Sequence, residues 1–151
     1  MIRRLMIVAA ICAALPAAAQ DSGERQEPRD AAAAELGATT DGFVLQDGEA
    51  LYNAACAGCH QPQGQGAIGA GVYPPLAANP RLEGGRYPAW IVLNGMGAMP
   101  NFNDWLDDEQ IVAVVSYIQQ SFGNRYDAHP TAEMVAGIRE NLSNAVPEGD
   151  E

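Results

Sequence analysis

Residues 56–60 read Cys-Ala-Gly-Cys-His, two thiols three positions apart followed directly by an imidazole. This pattern is the signature of covalent haem c attachment. The thiols of Cys56 and Cys59 can add to two vinyl groups on one edge of a porphyrin, and His60 can then bring its ring to the iron. The motif therefore predicts one covalently attached haem c, with His60 as an iron ligand.

Other uses of the two cysteines are less well supported. Cys12 lies in an apolar N-terminal run that export would remove. Cys56 and Cys59 would then remain, and in an exported protein they could form a disulfide. A zinc site would need two further ligands, and only His129 remains as a donor. We expect His129 to lie exposed at a turn before Pro130. A disulfide or metal domain without haem is the less favoured alternative.

The iron of such a haem needs a sixth ligand or keeps an open position. Three of the five methionines lie far from the central segment, namely Met1, Met6 and Met134. Met96 and Met99 share a Gly-rich loop, where a side chain has few packing partners but a thioether can approach the iron closely. Met99 precedes Pro100, which favours an extended backbone. The sequence predicts Met99 as the distal ligand, with Met96 either in a packing role or in contact with the ligating groups.

The N-terminal segment reads as a secretory signal peptide over residues 1–19. Arg3 and Arg4 precede an apolar run over 5–15, and small residues follow it up to Ala19. That run is too short to cross a bilayer, which takes about 20 helical residues. Residues 20–41 are polar and Ala-rich, so we expect a disordered acidic leader. The sequence thus predicts periplasmic export, with no membrane span after cleavage.

The chain is strongly acidic, with 19 Asp and Glu against 8 Arg, no lysine and a net charge of −11. Cleavage after Ala19 would remove two arginines and leave −13. Phosphate binding requires a basic surface, so nucleic acid is excluded as a partner. An acidic surface favours solubility, or steering toward a basic patch on a partner protein. Both interpretations of the charge stay open.

The elements that must position these residues read as helices joined by loops. Residues 47–55 can form a helix that leads into Cys56. The stretch 61–80 is rich in Gly and Pro and is expected to be mostly loop. Residues 88–94 fit a short helix with Pro in its first turn. With strand-like alternation missing from the sequence, the predicted fold class is all-α: few helices and Gly/Pro-rich loops around one covalent haem.

The strongest helical pattern spans residues 106–122. Its apolar residues recur on one face at positions 111, 114, 115, 118 and 122. Asp107 and Gln110 can form a capping box, and Gly123 can end the helix. A weaker amphipathic segment, residues 131–142, begins at Thr131 and packs back on the domain or covers a partner. We place the packed domain at 42–124, followed by a C-terminal extension (125–151) with a short helix.

Over about residues 42–124 the chain resembles class I cytochromes c, within the subgroup that serves as electron-accepting subunits of periplasmic dehydrogenases. The motif at 56–60 is preceded by Gly48 and Tyr52 at the positions where that family places a glycine and an aromatic. Residues 97–100 (Gly-Ala-Met-Pro) and 106–109 (Leu-Asp-Asp-Glu) match its distal loop and the start of its last helix. The resemblance implies that Gly48 and Tyr52 pack on that helix.

The resemblance also implies a role for the proline loop at residues 73–80. Its Pro74 carbonyl would accept a hydrogen bond from Nδ1 of the axial His60, with Pro75 as the alternative. The chain departs from the family at Gln61, which replaces the glycine often found after the histidine.

Apolar side chains around the iron would exclude water and adjust its reduction potential; the candidates are Leu76, Trp90, Ile91, Val92, Leu93 and Phe102. Trp90 either donates its indole N–H to a haem propionate or serves as a core aromatic.

With His60 and Met99 both bound, the iron would carry single electrons and catalyse no reaction. The expected function is that of an electron carrier between a periplasmic dehydrogenase and the respiratory chain or a terminal oxidase. A haem enzyme or sensor with an open distal position is the alternative.

Overall fold

The computed structural model describes residues 37–39, 42–69 and 71–145. The predicted signal peptide, and the predicted leader apart from residues 37–39, lie outside these ranges. The helices, in chain order, are α1 (Gly48–Leu51), α2 (Ala57–His60), α3 (Arg86–Asn94), α4 (Asp108–Gln120) and α5 (Ala132–Ala145). A π-helical segment (Tyr52–Cys56) joins α1 to α2, and a 3₁₀ turn (Pro80–Leu82) precedes α3. The predicted mostly helical fold is confirmed.

Two short antiparallel strand pairs accompany the helices, one before α1 and one between α2 and α3. Strands β1 (Ala38–Thr39) and β2 (Gly42–Phe43) pair with Ala38 opposite Phe43. Strands β3 (Ala67–Ile68) and β4 (Val72–Tyr73) pair with Ala67 opposite Tyr73. Each strand has two residues, too few to show the alternation by which a strand is recognised in a sequence.

Helix α4 is the central element, and its start follows from local capping. The Asp107 carboxylate accepts from the Gln110 N–H (2.8 Å), and the Gln110 side chain accepts from the Asp107 N–H (2.9 Å). This is the predicted capping box. The helix ends at Gln120, two residues earlier than predicted. Phe122 lies beyond it with a φ of 58°.

The helical stretch over 48–60 crosses α4 at close range. A Cβ at Gly48 would collide with the Ala113 carbonyl oxygen and the Tyr117 side chain, so the crossing requires glycine. The ring of Tyr52 lies 5.7 Å from that of Tyr117 and 4.9 Å from that of Phe122, measured between centroids. The turned backbone at Phe122 thus completes an aromatic cluster beside the haem motif.

The C-terminal helix α5 packs on α3 and α4. Its Val135 and Ile138 are fully buried in the same core as the residues of α4. Thr131 caps it, because its hydroxyl accepts from the Met134 N–H at 3.2 Å. Of the two arrangements considered for this helix, the chain adopts packing against its own domain. Within the described ranges, no helix is long and apolar enough to cross a bilayer.

Candidate haem-binding site

The two cysteines lie where the π-helical segment passes into α2. Cys56 is half-buried, Cys59 is exposed, and both thiols are free. π-Helical turns are rare and frequently occur at functional sites. Burial, with Cys59 nearby as a secondary cause, raises the pKa of Cys56 to about 12. The Cys56 thiol is therefore neutral near pH 7, unlike the thiolate of a reactive redox cysteine.

His60 ends α2 and is oriented by the proline loop. Its Nδ1 lies 3.0 Å from the carbonyl oxygen of Pro74. A carbonyl can only accept a hydrogen bond, so Nδ1 carries the proton and donates it. The lone pair of the neutral ring is then on Nε2, which is the nitrogen left to bind a metal. Between the two prolines considered, the hydrogen bond is made to Pro74.

Two asparagines fix the proline loop. Asn79 Nδ2 donates to the Pro75 carbonyl (2.9 Å), and its backbone N–H donates to Oδ1 of Asn124 (3.0 Å). Asn124 Nδ2 in turn donates to the carbonyls of Leu76 and Ile118, both at 2.9 Å. Asn124 is 3 % exposed, so these bonds are shielded from water. The sequence reasoning missed both asparagines, whose only signal was their position beside Pro80 and after Gly123.

Met96 and Met99 pair with each other across a two-residue turn that follows α3. The Met96 N–H donates to the Met99 carbonyl (3.1 Å), and the Met99 N–H donates to the Met96 carbonyl (3.0 Å). Met96 is 54 % exposed, whereas Met99 is half-buried and packs against the core. The two thioethers therefore differ in exposure, that of Met96 lying at the surface and that of Met99 being partly enclosed by the core.

The methionine turn is anchored to α3 at its base. A Cβ at Gly95 would lie 2.7 Å from the Met99 carbonyl oxygen, and the φ of Gly95 is +72°, so this position requires glycine. After the turn, the Phe102 N–H donates to the Val92 carbonyl at 3.0 Å. The predicted Gly-rich loop is therefore a fixed hairpin.

Trp90 lies at the surface, on the side of α3 away from the core. It borders a shallow cavity of about 410 Å³ together with Arg81, Arg86 and Tyr87. Neither His60 nor Met99 lines this cavity. Trp90 is thus an exposed aromatic beside two guanidinium groups. The other apolar candidates are buried or half-buried, namely Leu76, Ile91, Val92, Leu93 and Phe102.

His129 is more enclosed than the sequence suggested. It is half-buried, and its Nδ1 lies 2.9 Å from Oε1 of Gln119. Its Nε2 lies 2.9 Å from Nε2 of Gln120. The expectation of an exposed histidine was wrong, because α4 ends with two glutamines that engage both ring nitrogens. This arrangement leaves neither ring nitrogen available to a metal.

These residues fit a haem that is attached at one edge and bound through its iron. Two free thiols and an imidazole lie within five residues. The imidazole is held so that the lone pair of Nε2 is free to bind a metal. The half-buried thioether of Met99, on a fixed turn, is the group that would supply a second, soft iron ligand. The fold and the donor set together define the class of c-type cytochromes.

Comparison with known proteins identifies the family. Residues 44–118 match the family model described as cytochrome c oxidase, cbb3-type, subunit III. The chain is 39 % identical over 95 residues to cytochrome c-552 of Thermus thermophilus, covering 52 % of this chain and 70 % of that protein. It is 34 % identical over 83 residues to cytochrome c6 of Chlorolobion braunii, covering 52 % and 93 %.

A longer relative is the gluconate 2-dehydrogenase cytochrome c subunit of Pantoea cypripedii. The identity is 32 % over 117 residues, which is 70 % of this chain but 26 % of that subunit. The chain thus spans about a quarter of that protein's length.

The chain belongs to the class I cytochromes c. It is an electron carrier whose cofactor is haem, as the motif at 56–60 predicted.

Proposed function

We propose that this protein is a periplasmic monohaem cytochrome c that accepts single electrons from a dehydrogenase and passes them to the respiratory chain. The observation that carries the proposal is the difference in burial between the two paired methionines, Met96 being exposed and Met99 half-buried against the core. It supports an iron bound on both sides. An iron bound in this way has no position for a substrate, which favours electron transfer over catalysis.

In this proposal each site residue has one task. Cys56 and Cys59 fix a single haem covalently, and His60 binds its iron through Nε2. Pro74 keeps the imidazole in one tautomer and orientation. When bound, the haem supplies a one-electron Fe(III)/Fe(II) couple. The soft, neutral thioether of Met99 favours the reduced state and gives a higher reduction potential than a second histidine would.

Trp90 is proposed as a hydrogen-bond donor to a haem propionate. Its neighbours Arg81 and Arg86 bring positive charge, which favours a carboxylate at this surface. Replacing Trp90 by Phe removes the indole N–H while keeping an aromatic ring, so the reduction potential should change. An unchanged potential in Trp90→Phe would assign Trp90 a packing role only.

The partner proposal rests on charge and on relatives. One relative is the cytochrome subunit of a gluconate dehydrogenase, and the matched family model is named for an oxidase subunit. The net charge of −11 favours a donor or acceptor with a basic docking patch. Co-purification from periplasm at low salt should recover a dehydrogenase, and high salt should release it. If no redox partner is recovered, the result would contradict a stable complex and favour a freely diffusing carrier.

The N-terminal proposal is cleavage after Ala19, followed by a leader up to residue 41. Sequencing the mature protein from periplasm should give an N-terminus at Gln20, and intact mass should show one haem. A mature chain that begins at Met1, or that is found in the cytoplasm, would contradict export.

The iron ligand is tested by a matched pair of variants, Met99→Ala and Met96→Ala. The weak near-infrared band of methionine-ligated ferric haem should vanish in Met99→Ala and persist in Met96→Ala. Loss of the band in Met96→Ala alone would transfer the ligand role to Met96. A wild-type protein without this band would support the alternative function, a haem enzyme or sensor with an open distal position.

A further inference from the structure

Arg139 links the C-terminal helix to the segment between Met99 and α4. Its Nε and Nη2 both donate to Oδ1 of Asp108, at 3.0 and 2.8 Å. Nη2 also donates to the Leu106 carbonyl at 3.0 Å. Nη1 donates to the Asn103 carbonyl and, at 3.1 Å, to Oδ1 of the same residue. All three guanidinium nitrogens are therefore used on one short stretch of chain.

That stretch is a compact turn. The Phe102 carbonyl accepts from the N–H groups of Trp105 (3.1 Å) and Leu106 (3.0 Å). Arg139 binds the outer side of the turn, at Asn103 and Leu106. Only three residues separate Met99 from Asn103. The methionine hairpin is thus fixed to α3 at both ends, at Gly95 before Met99 and through the Phe102 N–H after it, and Arg139 adds a further attachment, to α5.

The hydrogen bonds from Arg139 to Asn103, Leu106 and Asp108, here called the clamp, are of a strong kind. Hydrogen bonds from a charged group are stronger than neutral ones, and the planar guanidinium presents its donors in a fixed geometry. The Arg139 side chain is 25 % exposed and that of Asp108 is 31 % exposed, so water reaches the ion pair only in part. The two backbone carbonyls tie the guanidinium to the loop itself rather than only to another side chain.

We propose that Arg139 is a positioning residue for Met99, holding the distal hairpin closed over the haem iron. The proposal rests on the proposed role of Met99 as an iron ligand. A free ligand such as imidazole can bind the iron only when Met99 has moved away. Its apparent affinity therefore rises with the fraction of molecules in which the hairpin is open. Loss of the clamp increases that fraction.

The experiment compares Arg139→Gln with wild type as ferric, haem-loaded protein, titrated with imidazole at constant pH and salt. Arg139→Gln should retain the near-infrared band without imidazole, yet bind imidazole about tenfold more tightly, the factor expected for loss of a charged hydrogen bond. Arg139→Lys should also bind more tightly than wild type, since a lysine cannot reproduce the fork. Equal affinities in wild type and Arg139→Gln would overturn the proposal.

Two control variants separate positioning from general loss of stability. Arg125→Gln removes the same charge from an exposed position and should bind imidazole as wild type does. Ile138→Val trims a buried side chain one residue before Arg139 and lowers stability without touching the clamp. If Ile138→Val raises imidazole affinity as much as Arg139→Gln does, the clamp has no specific role.

Failure of the underlying ligand assignment gives a different result. If Met99 does not bind the iron, wild type and Met99→Ala bind imidazole with equal affinity, whatever Arg139 does. If Met99 does bind it, Met99→Ala binds imidazole far more tightly than wild type. Arg139→Gln must then fall between those two affinities, and an affinity equal to wild type contradicts the clamp alone.

Discussion

The hydroxyl of Tyr52 donates a 2.6 Å hydrogen bond to the carbonyl of Gln61, the residue directly after His60. Gln61 has φ 68° and ψ 156°, a backbone conformation that glycine adopts readily and other residues rarely. The bond from Tyr52 helps to keep the chain in this conformation. The departure from the family pattern noted in the sequence therefore coincides with local backbone strain.

Replacing Gln61 by Gly should stabilise the protein. Relief of the strain should raise the free energy of unfolding by about 1–3 kcal/mol. Glycine's greater conformational freedom in the unfolded chain should lower it by up to about 1 kcal/mol. A net gain of about 1 kcal/mol is expected in denaturant unfolding of the haem-loaded protein. The matched control is Gln63→Gly, at a position without positive φ, which should lose a few tenths of a kcal/mol or more. A loss of stability in Gln61→Gly would mean that the backbone is not strained there.

Tyr52 should make stability fall at high pH. Burial, followed by the nearby Cys56, raises the pKa of Tyr52 from 10.0 to about 12. The unfolded chain releases this proton near pH 10 while the folded protein keeps it up to about pH 12. The contribution to the free energy of unfolding is therefore complete below pH 10 and declines by about 2 kcal/mol as the pH rises to 12.

The measurement is denaturant unfolding at several pH values between 9 and 12. Tyr52→Phe should show a shallower decline than wild type over this window. Tyr87→Phe, which alters an exposed tyrosine, should decline as wild type does. Parallel curves for wild type and Tyr52→Phe would contradict the assignment.

Asn124→Ala should destabilise the protein by about 3 kcal/mol. The change leaves the Leu76 and Ile118 carbonyls and the Asn79 N–H without their side-chain partner, and unsatisfied buried groups cost about 1–3 kcal/mol each. Thermal or denaturant unfolding measures the loss. Asn141→Ala, which removes an exposed amide on α5, should change stability by less than about 0.5 kcal/mol. Similar losses in the two variants would show that the loop does not depend on Asn124.

Chain without haem should be largely unfolded. A domain of this size has a small hydrophobic core, and such domains usually need an additional stabilising element. A covalently attached macrocycle would provide it. Protein produced without haem attachment, as a Cys56→Ser and Cys59→Ser double variant, should show much weaker helical circular dichroism than the haem-loaded protein. Matching spectra would refute this prediction.

Features that depend on neighbouring residues could be read from the sequence. The capping box between Asp107 and Gln110 forms within one helical turn, so the start of α4 was predicted to within two residues. The haem-attachment motif at 56–60 can likewise be recognised from five consecutive residues. The choice of Met99 over Met96 as ligand stays a prediction, which the greater burial of Met99 favours.

The remaining features depend on which distant backbone groups the fold brings together. Gln110 Nε2 donates to the carbonyls of Phe43 (2.6 Å) and Leu45 (2.7 Å), more than 60 residues away. Asn124 and Arg139 fix the loops before and after the site in the same way. A polar side chain has the same donors in any fold, and only the tertiary structure determines the carbonyls within their reach. The sequence by itself determined the haem motif and the central helix, while tertiary packing decided the proline that orients His60 and the contacts that hold the methionine hairpin.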